Sequence, residues 1–199
     1  MTRILLIRHA TNDTVGNVIA GRMKGVVLNL EGEEQAEELA HRLRNIHIDG
    51  IYCSPLERTL QTASPLAKQH NIDPLIEEGL LEINFGEWTN LSFTELGKIK
   101  QFSLFNSFRS STRIPGGELM IEAQVRIVRT LQFLCDKHKE QTVAVFSHGD
   151  IIKAAIAHYA AIPADMIPRI EIDPVSVSII EVYEDTAKIK LVNHTGEIK

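Results

Sequence analysis

Three apolar runs punctuate the chain: Ile4-Leu5-Leu6-Ile7, Gly50-Ile51-Tyr52-Cys53 and Val143-Ala144-Val145-Phe146. Runs this short, rich in Ile, Leu and Val and without polar alternation, read as strands buried on both faces of a parallel sheet. Between them the apolar period changes to that of a helix. Ala36, Leu39, Ala40, Leu43 and Ile46 follow helical spacing behind Asn29, a good N-cap residue. Leu56, Leu60, Ala63 and Ala67 do the same after Ser54-Pro55, with Pro55 suited to a first helical turn. A third helix is expected from about Glu118 to Lys137, burying Val125, Val128, Leu131 and Leu134. A fourth runs from Asp150, read as its N-cap, to Ala160. A short strand is expected around Pro74-Leu75-Ile76. Val175–Val182 and Lys188–Val192, joined by Glu184-Asp185-Thr186, read as a terminal hairpin. Strand and helix thus alternate. The pattern predicts a three-layer α/β/α sandwich with a mostly parallel sheet and an antiparallel edge.

The stretch from Leu81 to Gly117 obeys neither period. It holds Phe85-Gly86-Glu87-Trp88, with the two aromatics expected to pack under a loop, and a short helix from Phe93. Ser103 to Gly117 then mixes polar, Arg and Gly residues and reads as a surface loop or lid. The chain is therefore expected to form one domain over 1–199 with a lid-like insertion at about 83–117, since 199 residues suit one α/β unit.

Composition narrows the function. A hydrophobic content of 44% and a charged content of 24% are those of a globular protein. The net charge of −5 disfavours nucleic acid and membrane surfaces as partners, yet a local arginine cluster still suits a small anion. Cys53 and Cys135 lack metal-type spacing and read as small core residues. Met1-Thr2-Arg3 leads directly into a strand, so the expected location is the cytoplasm. No cofactor or metal is expected, and a homodimer is open.

Chemistry concentrates at the strand ends. Arg8-His9 follows the first run, and Ser147-His148-Gly149 follows the third. Open α/β sheets collect ligands at such carboxyl ends. Arg58 stands one turn into the helix behind Ser54-Pro55, and Glu82 lies in Leu81-Glu82-Ile83-Asn84-Phe85-Gly86. A transferring phosphoryl group spreads charge over its equatorial oxygens, so positioning and cationic donors do most of the catalysis. Guanidinium forks at Arg8 and Arg58 match that need, with a further hydrogen bond from His148. A neutral imidazole at His9 is a good nucleophile toward phosphorus, and neighbouring cations favour the neutral form. Glu82 is the expected proton donor to the departing alcohol. Gly149 permits close approach of a ligand to the backbone.

These segments, in this order over nearly the whole chain, resemble the histidine phosphatase superfamily, the phosphoglycerate mutase-like clan. The resemblance is carried by Arg8-His9, Ser54-Pro55-Leu56-Glu57-Arg58-Thr59-Leu60-Gln61-Thr62-Ala63, Leu81 to Trp88 and Ser147-His148-Gly149. It implies His9 as the phosphorylated residue, Arg8, Arg58 and His148 as a phosphate pocket, and Glu82 as proton donor. Four positions depart from the family pattern. Ala10, Thr11 and Asn12 replace its usual Gly, Glu or Gln, and Ser or Thr, while Val15 replaces a frequent Asn. Asn12, or Arg22 beside Gly21, is the expected substitute phosphate contact. Only Arg109 and Arg113, not adjacent, offer a counterpart to the paired arginines of the glycolytic mutases. The expected activity is therefore a metal-independent phosphatase acting on a phosphorylated small molecule through phosphohistidine. A phosphomutase and a non-catalytic phospho-ligand-binding module are the alternatives. His41, His47, His70, His138, His158 and His194 are assigned structural or surface places.

Each of these residues also has a plainer reading. Arg58 alone reads as a helix-surface charge, Glu82 as a solvated carboxylate among Glu77, Glu78 and Glu87, and His148 as a satisfied core histidine. The approach of Glu118 to the site, from Pro115-Gly116-Gly117-Glu118, is the less favoured of two readings, the other being a simple turn before a helix.

Overall fold

A computed structural model describes Met1–Ile198. Strand β1 (Thr2–Arg8) lies inside a six-stranded sheet with β2 (Gly50–Cys53), β3 (Leu75–Ile76), β4 (Thr142–Ser147), β5 (Val177–Val182) and β6 (Ala187–His194). The strand order is β3-β2-β4-β1-β5-β6. β1, β2, β3 and β4 run parallel, with Ile4 opposite Val143, and β5 and β6 close the sheet antiparallel. The expected sandwich, parallel sheet and antiparallel edge are all present.

Helices cover both faces: α1 (Leu30–Arg42) and α2 (Glu57–His70) on one, α5 (Met120–Lys137) and α6 (Gly149–Tyr159) on the other. The run Ile4-Leu5-Leu6-Ile7 shows why such strands lack polar alternation. Successive side chains point to opposite faces. Ile4 and Leu6 therefore join Ile127, Leu131 and Ile152 on the α5–α6 side, and Leu5 and Ile7 join Ala36, Leu39 and Leu66 on the α1–α2 side. Asn29 caps α1 as expected, its side chain accepting from the Gly32 N–H at 2.9 Å. Both cysteines are free, with Cys53 buried and Cys135 half-buried.

Several boundaries differ from expectation for identifiable reasons. α2 begins at Glu57 with Leu56 as its cap, so Pro55 precedes the first turn instead of lying in it. Val125 is 44% exposed, because Ala123, Ile127 and Leu134 complete the buried face of α5 without it. His148, not Asp150, is the N-cap of α6, since the helix starts as β4 ends. β5 starts at Val177 because Val175 has a left-handed backbone with φ of 50°.

The largest correction falls in the irregular stretch. The expected short helix is present as α3 (Phe93–Leu96), and Ser92 and Glu95 form a capping box at its start. Part of the expected loop after Ser103 is instead α4 (Lys100–Ser107). Its helicity is stabilised by tertiary packing of Phe105, which meets Trp88 edge-on with ring centroids 5.5 Å apart. An isolated helix of this length is unstable in water, which is why local sequence does not announce it. Phe85 and Trp88 are buried, as expected. The stretch is fastened to the loop after β1 by a bridge between Val18 and Ser92 and by bonds between Ile19 and residues 90 and 91. Among the described residues, no helix is long and apolar enough to cross a membrane.

Candidate active site

A cavity of about 300 Å³ opens at the carboxyl ends of β1 and β4. Its floor is formed by Arg8, His9, Gly21, Arg58, Glu82 and Gly149. Five separate places in the chain supply these residues, and the parallel register brings those at the strand ends together. β1 and β4 pair up to Arg8 and Ser147, so residues 9 and 148 leave the sheet side by side. Their rings stand 5.3 Å apart, centroid to centroid.

His9 is buried, and its Nδ1 lies 2.8 Å from the Ala10 carbonyl. A carbonyl only accepts, so Nδ1 carries the proton and Nε2 keeps its lone pair. Burial, then the Arg58 and Arg8 charges, hold the imidazole down to about 3, against the bond to Ala10. His9 is accordingly neutral at physiological pH.

Arg58 is buried, with Nη2 donating to the Gly21 carbonyl at 2.7 Å and to His148 Nδ1 at 3.2 Å. Its Nε and Nη1 have no protein partner, nor does Arg8 Nε. Arg8 is tethered through Nη1 to the Ile172 carbonyl at 2.6 Å. Two fixed guanidinium groups with unsatisfied donors beside a neutral imidazole are what a tetrahedral oxyanion requires. His148 occupies a different place from that expected. It is fully buried and does not line the cavity. Arg58 donates to its Nδ1, and its Nε2 therefore donates to Ser54 Oγ at 2.8 Å. Burial and then the Arg58 charge keep its pKa well below the ordinary value. In this arrangement it orients Arg58 and abuts His9.

Glu82 accepts from the Ile83 N–H at 2.9 Å through Oε1. Burial, followed by the charge of Asp150, pushes its carboxyl up to about 7, against the pull of Arg58 and Arg8. A carboxyl so poised is suited to donate and then accept a proton near neutral pH.

Neither expected substitute phosphate contact is among the cavity's lining residues. Asn12 is buried, with Oδ1 accepting from the Thr14 N–H at 3.0 Å, while its Nδ2, like the free donors of Arg8 and Arg58, has no protein partner. Arg22 does not line the cavity either; its Nε donates to the Glu82 carbonyl at 2.8 Å and its Nη2 to Glu118 at 2.9 Å. Glu118 thus does approach the site, behind Glu82. Val15, in the position of the frequent family Asn, lines the cavity as an apolar side chain. Ala10 needs no left-handed backbone, and its N–H donates to Thr62 Oγ1 at 2.9 Å. The six remaining histidines lie away from the cavity.

Sequence reasoning missed the outer wall. Phe93, Phe102 and Phe105 from α3 and α4 line it, facing Val15, Val18 and Ile19. Arg109, Asp150 and Lys153 form its polar corner, with Arg109 Nη1 bound to Asp150 Oδ1 at 3.0 Å and its guanidinium 4.7 Å over Phe105. The available signal was the i, i+3 pair Phe102 and Phe105 within Ser103's polar surroundings. Arg113 lies outside the cavity, engaged with Glu122. No three His, Cys, Asp or Glu side chains gather as metal ligands among the described residues.

A parallel α/β sheet carrying a paired imidazole and two inward guanidinium groups at its strand ends defines a phosphoryl-transfer enzyme of the phosphatase kind. The chain belongs to the histidine phosphatase superfamily (branch 1), whose sequence model matches residues 4–195. It is 28% identical over 205 residues to phosphoserine phosphatase 1 of Hydrogenobacter thermophilus, covering 99% of this chain and 96% of that one. To the metal-independent phosphoserine phosphatase of Arabidopsis thaliana it is 33% identical over 163 residues, covering 77% and 67%. A crystal structure of a mutant phosphoserine phosphatase from Entamoeba histolytica in complex with phosphoserine superposes with a TM-score of 0.88 at 25% identity, covering 98% of each chain.

Proposed function

We propose that the protein hydrolyses a small phosphomonoester through a phosphohistidine at His9, without a metal. The supporting observation is the neutral His9, with a free Nε2, beside partnerless donors of Arg8 and Arg58. Nε2 attacks phosphorus, the ester P–O bond breaks, and Glu82 gives its proton to the departing oxygen. Nδ1 keeps its proton on Ala10 throughout. Water then attacks phosphorus, Glu82 accepts its proton, the P–N bond breaks and phosphate leaves. The guanidinium pair supplies the charge that a metal would otherwise bring. Gly149, at the start of α6, adds room for a phosphate oxygen near Arg8.

The leaving group faces the outer wall, with the 83–117 insertion as its cover. Phosphoserine, named for the relatives, suits a corner that offers the Lys153 ammonium to its carboxylate and the Asp150 carboxylate, held by Arg109, to its amino group. The apolar Val15 and the three phenylalanines add affinity for esters with an apolar body. A mutase is disfavoured because Arg113 pairs with Glu122 and Arg109 with Asp150, leaving no arginine pair for a carboxylate. A cytoplasmic setting carries over from the sequence as part of the same proposal.

The test is rapid acid quench with a ³²P-labelled ester, followed by mapping. Label on His9, discharged by water and indifferent to chelators, is the expected result. Label on another residue, or turnover with none, refutes the covalent step. Return of the phosphoryl group to an isomeric substrate marks a mutase, and phosphate binding without turnover marks a binding module.

A further inference from the structure

The stretch that carries Glu82 has no strand or helix to hold it. It lies between two short 3₁₀ turns, Glu78–Leu80 and Gly86–Trp88. A proton donor must nevertheless be held within hydrogen-bond reach of its target, and a misplacement of about 1 Å costs on the order of a hundredfold. Some other feature must supply the rigidity.

Three side chains from remote parts of the sequence gather behind it. Arg126, on α5, donates from Nη1 to the Gly79 carbonyl at 2.8 Å and to the Leu81 carbonyl at 2.7 Å. Its Nη2 reaches the Glu82 carbonyl at 3.5 Å, and Arg22 Nε donates to the same oxygen at 2.8 Å. Two like-charged guanidinium groups meet at one carbonyl, and Glu118 lies between them. Glu118 Oε1 accepts from Arg22 at 2.9 Å, and Oε2 accepts from Arg126 at 3.2 Å. Oε2 also accepts from the Asn84 N–H at 2.9 Å, while the Glu118 N–H donates to the Asn84 carbonyl at 3.0 Å. The carbonyls of residues 79, 81, 82 and 84 and the amide of Asn84 are therefore all fixed by this cluster.

The neighbouring backbone keeps Glu118 in place. A Cβ on Gly117 would meet the Asn84 carbonyl oxygen at 2.2 Å, and one on Gly86 would meet the Pro115 carbonyl oxygen at 2.1 Å. Pro115-Gly116-Gly117 thus packs against the Glu82 stretch at distances only glycine allows. The turn that precedes α5 is built to deliver Glu118.

We propose that Glu118, with Arg22 and Arg126, is a positioning cluster that holds the Glu82 proton donor in register with the leaving-group oxygen. None of the three lines the cavity, so they act through Glu82. The inference rests on the proposed role of Glu82, and the tests below separate the two.

An alkyl ester needs its leaving oxygen protonated, whereas p-nitrophenolate departs without help. Loss of Glu118 should therefore appear as a change in leaving-group dependence, not as a uniform loss. Glu118→Ala is expected to lower kcat/KM for an alkyl phosphate such as phosphoserine by about a hundredfold, and for p-nitrophenyl phosphate only a few-fold. Glu118→Asp should restore part of the alkyl activity. Arg22→Ala, at a half-exposed position, provides the same reading if Glu118→Ala folds poorly, with a smaller split because Arg126 remains. In the Glu82→Gln background, Glu118→Ala should add little further loss, because both changes remove the same step.

Equal losses on both esters in folded Glu118→Ala and Arg22→Ala proteins, or fully additive losses in the Glu82→Gln background, overturn the inference. If Glu82→Gln alone shows no split between the esters, the proton-donor reading itself fails. That outcome is distinct from a split in Glu82→Gln with none in the Glu118 variant.

Discussion

The two sides of the cavity are built on different principles. On the side proposed to hold phosphate, Arg8, His9 and His148 stand at or just past the ends of β1 and β4, Arg58 stands in the first turn of α2 behind β2, and backbone ladders fix these elements. Each polar group there has a named partner or an unsatisfied donor facing the others. On the side proposed to hold the leaving group, Phe93, Phe102 and Phe105 come from two short helices held by side-chain packing, a β-bridge and a few backbone bonds to residues 17 and 19. The phosphate is common to every monoester, so its site tolerates no redesign. The alcohol differs between substrates, and a wall made of packing can be altered one side chain at a time. The separation allows one reaction to serve many esters.

That contrast predicts unequal consequences. His9→Ala removes the nucleophile and should lower turnover of every ester by about 10⁴-fold or more, whatever the alcohol. Retention of more than a hundredth of the activity in a steady-state assay would contradict the covalent role. Glu82→Gln should cost about 10²-fold to 10³-fold on phosphoserine and under about tenfold on p-nitrophenyl phosphate. Because the Glu82 carboxyl is pushed up to about 7, activity on alkyl esters should fall as pH rises through that value and the donor ionises. Asp150→Asn takes away one cause of the upward push, so this limb should move to lower pH. A limb that stays in place or moves to higher pH would show that Asp150 does not bear on Glu82.

The phosphate side should also govern acid stability. His9 titrates at about 3 in the folded chain, well below its ordinary value near 6.5. Its neutral burial therefore contributes stability that is present above about pH 6.5 and is lost as pH falls toward 3. At pH 4 the loss from this group is about 3 kcal/mol, at roughly 1.4 kcal/mol per pH unit. His9→Gln cannot take up the proton, so its urea midpoint should fall less than that of the wild type between pH 7 and pH 4. Parallel falls would mean that the imidazole reaches water before global unfolding.

The same contrast explains what could be read in the sequence. The strands and the Arg8-His9 and Ser147-His148-Gly149 corners were legible, because a strand buried on both faces forces a continuous apolar run that ends where polar residues begin. Arg58 was legible through its place one turn after Ser54-Pro55. The role of His148 was only half legible. Nothing local indicates that its nitrogens go to Arg58 and Ser54, since both partners arrive through the fold. Proximity to the motif makes both Asn12 and Arg22 candidates for phosphate, yet the fold engages Arg22 with Glu82 and Glu118, while Asn12 keeps its Nδ2 donor free and only its oxygen engaged by Thr14. Helix α4 was missed because its eight residues have little helical stability alone.

The finest test concerns Phe93, which is 47% exposed at the start of α3 and contributes to the apolar wall. Its exposure makes Phe93→Ala a mild change for folding, and the Ser92–Glu95 capping box remains. What it removes is apolar surface available to a leaving group. A ring covering part of that surface gains about 0.5–1 kcal/mol at 25 cal/mol per Å². The ratio of kcat/KM for 2-phenylethyl phosphate to that for ethyl phosphate should therefore fall about threefold in the variant. Both are primary alkyl esters with leaving oxygens of similar basicity, so the demand on Glu82 cancels in the ratio. A ratio unchanged by Phe93→Ala would assign the alcohol to the Arg109–Asp150–Lys153 corner instead. In that event Lys153→Ala should change the preference for phosphoserine over ethyl phosphate by a larger factor than Phe93→Ala changes any.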